Sequence, residues 1–505
     1  MAVSTGIPES WQLPLVWISV DGSMAGNLTQ SQPALLVGQY NATGANAGTC
    51  VANVPVPVGS VAMAKNLFGQ GSMLARMVAS WFAVNTNQLL YAIPVPDPGA
   101  GVAATGSITI ATAPTQSGTL FIYIGGQLIQ TAVGSTDLVA TVATNLAAAI
   151  NANNDLAITA VATTGVVALT CDWKGLTGND FTIIPNYLGA YGGQALPVGL
   201  TLTIVAMNGG TSEPTFTSAI SAIQALQFFY VAMPYTDSAS QTAWATEFGF
   251  SSGGRWNYSR QQYGFMVNAL RNDYADSITW GLAQNSPVIS TMAIEQLAPS
   301  PIWEWTAAYA GLAALGFSDD PARPLQTLEM IGILPAAVQN RYSQAQLNNL
   351  TNSGFAIQSV APDGNPMILR EQTQYQLNSY GQADTAFGLL TVLSTLTALL
   401  SAMKSAITSK YPRVKLVPDG TAYGPGQAIV TPSVIKAELV AEFVNAMYNG
   451  LVADLPDFKA NLIVQIDNNN PNKIDVLYPP QLAGQLRQFN ALAQFRLLYP
   501  PVATN

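Results

Sequence analysis

From Phe216 onward, short apolar runs that are typical of buried β-strands alternate with stretches that have the apolar spacing of helices. Three of these runs occupy residues 227–233, 263–267 and 288–294. Strands that alternate with helices along a chain form parallel sheets, because a parallel connection needs a long crossover. The sequence therefore predicts an α/β core with a largely parallel sheet over residues 215–384.

The surface of the folded chain must be poor in charge. Of the 505 residues, 9% are charged and 49% are hydrophobic, whereas ordinary soluble domains carry roughly 25% charged residues. Such a surface is covered by something other than water, either by a membrane or by other protein subunits. The length also exceeds that at which one hydrophobic core keeps growing, which predicts two or more domains.

Charge and residue content exclude several functions. The net charge of −9 and the pI of about 4.5 lack the basic field that nucleic-acid binding requires. The chain has no histidine, so a Ser-His-Asp triad is impossible and zinc sites lose their commonest ligand. Cys50 and Cys171 form no metal motif and fit a reducing cytoplasm. We therefore expect no enzymatic activity, no cofactor and no direct contact with nucleic acid. Residues 1–11 contain no Lys or Arg, so we also expect no secretory signal there.

Residues 97–214 differ in composition from the rest of the chain. Strand-like runs at residues 107–111 and 119–125 are rich in β-branched and aromatic residues. Apolar residues recur every four positions over residues 137–151, which predicts a helix there. A cluster of Pro and Gly residues precedes the segment. We interpret it as a separate, β-rich insertion domain.

Residues 385–403 form an uncharged run whose length approaches that of a membrane span, which needs about 20 predominantly apolar residues. Thr and Ser residues interrupt the run, and its large apolar residues fall on one stripe: Leu389, Leu393, Leu396, Leu400 and Met403. This pattern favours an amphipathic helix that packs inside a protein. We therefore expect no membrane insertion.

Three aromatic residues, Trp303, Trp305 and Tyr309, open a run rich in Ala and Leu. A ligand-binding platform is one interpretation of this group. Burial in a core or in a subunit interface is the interpretation that the surrounding apolar run favours.

Both ends of the chain carry candidate strands. The N-terminal run consists of Leu15, Val16, Trp17, Ile18 and Val20. The C-terminal run begins at Phe489 and places Phe495, Leu497 and Tyr499 on one face of a strand. A terminal strand must pair with its own sheet or with the exposed edge of a neighbouring molecule.

A β-hairpin is predicted just before the C-terminal run. Residues 461–467 and 473–478 are two apolar runs that flank an Asn-rich turn containing a proline. The apolar residues of this hairpin are Leu462, Val464, Ile466, Ile474 and Val476.

Basic residues are concentrated in the second half of the chain. Lys404, Lys410, Arg413 and Lys415 lie close together with no acidic residue among them, and Lys436 follows on a second predicted helix. Two interpretations stay open, an ordinary solvated helix end and a positive surface that docks an acidic partner.

Three segments of the sequence resemble the contractile tail sheath proteins of Mu-like bacteriophages. They are residues 301–310 (PIWEWTAAYA), 320–328 (DPARPLQTL) and 426–439 (GQAIVTPSVIKAEL). The resemblance extends from about residue 228 to residue 498 and includes residues 229–237 (FYVAMPYTD).

The resemblance implies a structural protein of the virion tail that is assembled in the host cytoplasm. Copies of such a protein form a helical tube around the tail tube protein, together with baseplate and tail terminator proteins, and shorten to drive the tube through the host envelope. Sheath families link their subunits by terminal arms that add strands to a neighbour's sheet. The two terminal strands and the hairpin match that role as arms and acceptor. The family's C-terminal domain faces the tube, which implies tube contacts for the five basic residues above.

The resemblance and the changes in composition together predict an α/β multidomain protein with a C-terminal α+β domain. The expected parts are an N-terminal arm at 1–22, the first part of the core at 23–96, the outward-facing insertion at 97–214, an α/β sheath domain at 215–384, the tube-facing C-terminal domain at 385–487 and a C-terminal arm at 488–505. The family's middle domain is described as subtilisin-like. Without histidine this chain cannot use the subtilisin triad, so that likeness implies architecture alone.

Two alternative functions have some support in the sequence. The Thr- and Gly-rich β segment is compatible with a surface adhesin or a surface-layer protein, although the expected α/β core argues against it. A hydrolase that works without histidine, through Lys, Tyr or paired carboxylates, is the second alternative.

Overall fold

The structure is a computed structural model, and it describes residues 32–44 and 46–497. The N-terminal strand predicted at Leu15, Val16, Trp17, Ile18 and Val20 lies outside the described residues, as does the last part of the C-terminal arm. In chain order the strands are β1 (Ala34–Gln39), β2 (Val56–Pro57), β3 (Leu90–Val95), β4 (Ala103–Thr112), β5 (Gly118–Ile124), β6 (Gln127–Val133), β7 (Ile158–Thr163), β8 (Val166–Lys174), β9 (Ile183–Pro185), β10 (Thr201–Asn208), β11 (Tyr230–Ala232), β12 (Phe265–Asn272), β13 (Ile289–Glu295), β14 (Phe355–Val360), β15 (Pro366–Arg370), β16 (Lys415–Leu416), β17 (Ile429–Val430), β18 (Val452–Ala453), β19 (Ile463–Ile466), β20 (Ile474–Leu477) and β21 (Gln481–Leu482).

The helices are distributed along the same residues. They are α1 (Val61–Phe68), α2 (Met73–Val84), α3 (Val139–Asn151), α4 (Thr217–Ile223), α5 (Ser238–Phe248), α6 (Tyr274–Leu282), α7 (Ile302–Asp319), α8 (Gln344–Asn352), α9 (Leu390–Lys410), α10 (Pro432–Tyr448) and α11 (Leu455–Asn461).

An eight-stranded sheet with the order β15-β14-β13-β12-β11-β1-β3-β2 organises the α/β part. The six strands from β14 to β3 run parallel to their neighbours, and the two outermost strands, β15 and β2, are antiparallel. The three apolar runs of the sequence overlap β11, β12 and β13, and every residue of β11 and β13 is buried. The predicted largely parallel sheet is therefore confirmed.

Strands from the two sides of the residue 97–214 segment lie next to each other in this sheet. Ala34 of β1 is opposite Leu90 of β3 on one side and Tyr230 of β11 on the other. The first part of the chain and the part after residue 215 therefore fold together into one sheet.

Helices α2 and α7 pack against each other beside the sheet. Trp303, Trp305 and Tyr309 of α7 are all fully buried, which confirms that this aromatic group belongs to the core. The two helices approach closely at Gly311, where a Cβ atom would lie 2.6 Å from Cγ2 of Val84. A helix that is apolar on all sides, as α7 is, is expected only where it is surrounded by protein.

The segment from residue 97 to 214 contains two antiparallel sheets, β10-β4-β8-β7 and β6-β5-β9. Helix α3 forms within the predicted residues 137–151 and buries Val142, Leu146 and Ile150. The predicted helix and the two predicted strands, now β4 and β5, are confirmed.

Aromatic packing joins these antiparallel sheets to the α/β part. The ring of Trp303 lies 5.3 Å from that of Trp173 and 5.1 Å from that of Phe181, measured between ring centroids. A buried ion pair between Asp180 and Arg271, with 3.1 Å between the charged atoms, lies in the same joint. The segment therefore shares one continuous buried core with the parallel sheet, which the change in composition along the chain did not reveal.

Helix α9 connects that core to a second, smaller one. Its Leu390 and Leu393 pack in the main core, and Leu399 packs with α10 and α11 in the second core. By length and composition alone, Leu390–Lys410 is apolar enough to cross a membrane. The packing on both cores confirms the prediction of a packed helix.

Candidate functional site

The predicted β-hairpin is present and consists of β19 and β20. Ile463 is opposite Leu477, and Ile466 is opposite Ile474. The side chain of Asp467 fixes the turn, because its Oδ1 accepts hydrogen bonds from the backbone N–H groups of Asn469 (2.7 Å) and Asn470 (3.1 Å).

Lys473 closes the same turn. Its Nζ donates to Oδ2 of Asp467 at 2.8 Å and lies 2.7 Å from Oδ1 of Asp475. The ammonium group holds the pKa of Asp467 at about 2. The charged form of the turn is therefore kept over the whole range in which proteins are usually handled.

One face of the hairpin holds it to the subunit. Val464 and Ile474 pack against the second core, where the rings of Phe443 and Phe458 stack with 3.9 Å between centroids. Leu462 is buried at the end of α11. These predicted acceptor residues therefore use their side chains inside their own subunit.

The opposite face of the hairpin is turned to solvent. Ile463 and Leu477 face each other across the two strands and are 50% and 57% exposed. A polar pair, Gln465 and Asp475, lies beside them on this face. The outer face thus offers one apolar contact at the open end of the hairpin.

Both edges of the hairpin are open. The backbone N–H of Asp467 donates to the carbonyl of Lys473 at 2.9 Å. Bonded and non-bonded residue pairs alternate along an antiparallel ladder, so the backbone groups of four residues point away from the hairpin: Val464, Ile466, Ile474 and Val476. No third strand pairs with them within residues 32–44 and 46–497. A two-stranded hairpin is only marginally stable in water, so an added strand satisfies backbone groups and stabilises it.

The described side chains of the C-terminal run lie outside both hydrophobic cores of the subunit. The expected arm strand at Phe489, Phe495 and Leu497 stays a prediction, because it requires the sheet edge of a second copy; within the described chain, residues 483–497 belong to no strand. The side chains of Phe489, Leu492, Phe495 and Leu497 are between 82% and 89% exposed. Four large apolar side chains on one short exposed segment indicate a surface that a partner covers.

The five predicted basic contacts do not form one free positive surface. Lys410 donates to Glu438 and lies 3.9 Å from Glu442, and Lys415 donates to the side chain of Gln427 at 3.2 Å. Lys404, Arg413 and Lys436 make no ion pair within the part of the chain that the structure describes. One sign of this pairing of Lys410 is present in the sequence: Glu438 and Glu442 are four residues apart, a spacing that places them on one face of a helix.

A cleft of about 930 Å³ opens at the carboxyl edge of the parallel sheet, and sequence reasoning missed it. Burial, reinforced by the charge of Asp237, raises the pKa of Glu213 to about 8. Burial also raises the pKa of Asp180 to about 6, against the opposing charge of Arg271. Asp237 caps α5 through the N–H groups of Ala239 and Ser240. These acids lie far apart in sequence, so no local pattern marks them; Asp180 belongs to the joint between the sheets through Arg271, and Asp237 caps a helix.

Comparisons with known proteins place the chain among phage proteins. The family described as phage tail sheath protein central domain matches residues 209–373, and the phage tail sheath C-terminal domain matches residues 382–496. The Mu-like prophage FluMu tail sheath protein of Haemophilus influenzae is 36% identical over 500 residues, which are 98% of this chain and 100% of that protein.

Solved structures of two sheath tail proteins also align with the chain. The protein from Desulfitobacterium hafniense is 12% identical, with 93% of this chain and 100% of that chain covered and a TM-score of 0.46. The protein from Listeria innocua is 13% identical, with 90% and 92% covered and a TM-score of 0.46.

Proposed function

Since this chain belongs to the phage tail sheath protein family, we propose that it polymerises helically around a tail tube and contracts to drive that tube through the host envelope. Tail sheath proteins are structural components of the virion tail. The observation that carries the mechanical proposal is the pairing, on one chain, of an exposed apolar arm with a hairpin whose two edges are open.

The proposed link between subunits is the addition of a strand. The arm at residues 488–505 of one copy pairs its backbone with an open edge of β19 or β20 in a second copy. Phe489, Phe495 and Leu497 then leave water, and Ile463 and Leu477 of the acceptor contribute the nearest exposed apolar surface. Residues 1–22 act as a second arm in this proposal. A contact between different patches of identical subunits generates an open helical array whenever its rotation does not close a ring.

The proposal also assigns a position in the assembled sheath to each part of the chain. Residues 23–96 and 215–384 form the α/β sheath domain, residues 97–214 face outward, and residues 385–487 face the tube. The proposed basic contacts with the tube are Lys404, Lys410, Arg413, Lys415 and Lys436. Lys410 is paired with Glu438, whereas Lys415 donates to the neutral side chain of Gln427 and keeps its charge available. Baseplate and tail terminator proteins delimit the assembled sheath. Assembly takes place in the host cytoplasm. The subunit performs no catalysis.

The proposed function predicts a simple assembly result. The purified full-length chain is expected to form hollow tubes or helical oligomers as its concentration is raised, because each new subunit covers one arm and one open hairpin. Negative-stain electron microscopy together with sedimentation measures this. A monomer that persists at high concentration would contradict the proposal, and secretion of the protein without a phage would favour the adhesin or surface-layer alternative.

Proline substitutions distinguish the two hairpin edges. Val464→Pro removes an N–H group from the outer edge of β19, and Val476→Pro removes one from the outer edge of β20, whereas neither N–H is used within the hairpin. We expect the substitution on the accepting edge to abolish tubes and the other to leave them intact, with circular dichroism reporting an unchanged fold for both. Asp475→Pro is the matched control, because it removes an N–H that the hairpin itself uses. Normal tubes from both edge variants would eliminate β19 and β20 as acceptors.

A further inference from the structure

The C-terminal arm is tied to the α/β part by a charge pair just before it becomes exposed. Both terminal nitrogens of the Arg487 guanidinium group reach the carboxylate of Glu371: Nη1 donates to Oε2 at 2.9 Å, and Nη2 donates to Oε1. The Glu371 side chain is 0% exposed and the Arg487 side chain is 13% exposed. A bidentate pair with one fully buried partner has far less freedom than a surface ion pair.

A glutamine completes this contact. The Nε2 of Gln485 donates to the carbonyl of Ala322 at 2.8 Å, and its Oε1 accepts from Nε of Arg487 at 2.8 Å. Ala322 lies directly after α7, on the α/β side of the molecule. Gln485 and Arg487, which directly precede the arm, therefore both bind the chain to the α/β part.

The buried partner lies at the point where the two cores meet. Glu371 follows β15, and its carbonyl accepts a hydrogen bond from the N–H of Leu390, the first residue of α9, at 3.2 Å. In the described chain, the last strand before Arg487 is β21, which pairs with β18 through two residues. A two-residue ladder is easily peeled from its end, whereas a buried ion pair resists separation because breaking it leaves a buried charge without a partner.

We propose that Glu371 and Arg487 form an anchor that fixes where the C-terminal arm leaves the subunit and carries a pull on the arm into the α/β part. This inference rests on the proposed function, because it assigns the pull to a neighbouring subunit that holds the arm. In the assembled sheath, the anchor makes the connection between copies rigid up to Arg487 and leaves residues 488–505 as the exchanged segment. Arg487 and Glu371 are thus positioning residues for assembly.

Trypsin tests the anchor without any need for assembly. The arm offers two cleavage sites, after Arg487 and after Arg496, and only the first is held by the body of the subunit. In the unassembled full-length chain, we expect cleavage after Arg487 to be slower than cleavage after Arg496 by about tenfold or more, because a protease needs an extended, free segment. Mass spectrometry of the released peptides measures both rates. Equal rates in the unchanged protein would overturn the anchor.

Two variants release the anchor in different ways. Glu371→Gln keeps the shape of the buried side chain and removes its charge, and we expect cleavage after Arg487 to approach the rate after Arg496. Arg487→Lys keeps the positive charge and a trypsin site but loses the bidentate contact, so it gives the same readout if Glu371→Gln does not fold. Glu438→Gln, which removes the partner of Lys410, is the matched control and leaves both rates unchanged.

Sedimentation of the same proteins tests the mechanical role. We expect the released variants to yield several-fold fewer tubes that pellet at a given protein concentration, measured at a temperature well below the melting temperature of each variant, because loss of a buried pair lowers that melting temperature. A variant that trypsin cleaves rapidly after Arg487 but that still forms the normal amount of tubes would overturn the role of the anchor in assembly. If the unchanged protein forms no tubes, the proposed function fails, while the trypsin result still decides whether the anchor exists.

Discussion

A chain that ends at Gln488 is expected to fold as a stable monomer and to form no tubes. The deletion removes an arm whose described side chains Phe489, Phe495 and Leu497 contact almost nothing in their own subunit, so the free energy of unfolding is expected to change by less than about 0.5 kcal/mol. Assembly loses both the added strand and the apolar area that the strand buries. Thermal melting and negative-stain microscopy measure the two effects separately.

Substitutions within the full-length arm separate backbone from side-chain contributions. Changing Phe489, Phe495 and Leu497 to Ser keeps the length of the arm and its backbone hydrogen bonds, and we expect a weakened polymer. Arg496→Gln alters the same arm without removing apolar area and is expected to assemble normally. Tubes of normal length from the truncated chain would show that the C-terminal arm is not the link between subunits.

The second large effect is expected at the joint between the antiparallel sheets and the parallel sheet. Trp303 is fully buried and packs edge-on against both Trp173 and Phe181. Trp303→Ala is therefore expected to lower the free energy of unfolding by about 3–5 kcal/mol, the range for deleting a large buried aromatic side chain. Urea unfolding followed by circular dichroism measures the loss.

The shared core also predicts how residues 32–373 unfold. Because the buried core is continuous from the antiparallel sheets into the parallel sheet, we expect them to unfold in one transition, with the Trp303→Ala variant shifting the whole transition. Tyr258→Ala removes an aromatic side chain that is 86% exposed and is expected to change stability by less than about 0.5 kcal/mol. Two separate transitions in the unchanged protein would contradict the continuity.

Several elements were predictable because their signals are local. The runs that became β12 and β13 are rich in apolar residues, since both faces of a parallel sheet are covered. The hairpin β19–β20 follows from two apolar runs on either side of an Asn-rich turn, and α3 follows from apolar residues every four positions. The aromatic residues of α7 were correctly expected in the core because the surrounding helix is apolar on all sides.

The arm strand predicted at the C-terminus stays a prediction, because a single chain cannot supply its partner. The alternation of Phe489, Phe495 and Leu497 indicates which faces a strand would have, but a strand forms only where another strand supplies hydrogen bonds. Residues 32–44 and 46–497 bring no sheet edge to this segment, and its described side chains are exposed. The anchor at Glu371 and Arg487 was also invisible, because its two residues are separated by 116 positions.

The sequence by itself determined the class of the protein: an α/β chain without histidine, poor in charge, with a family resemblance carried by three short segments. Composition, periodicity and motif are properties of neighbouring residues, and they need no knowledge of the fold. Only the tertiary structure decided that β1 and β3 join β11 in one sheet, that the antiparallel sheets share its core, and that Glu371 holds the outgoing arm. Those relations depend on which distant residues meet, and contacts at long sequence separation leave no local pattern in a single sequence.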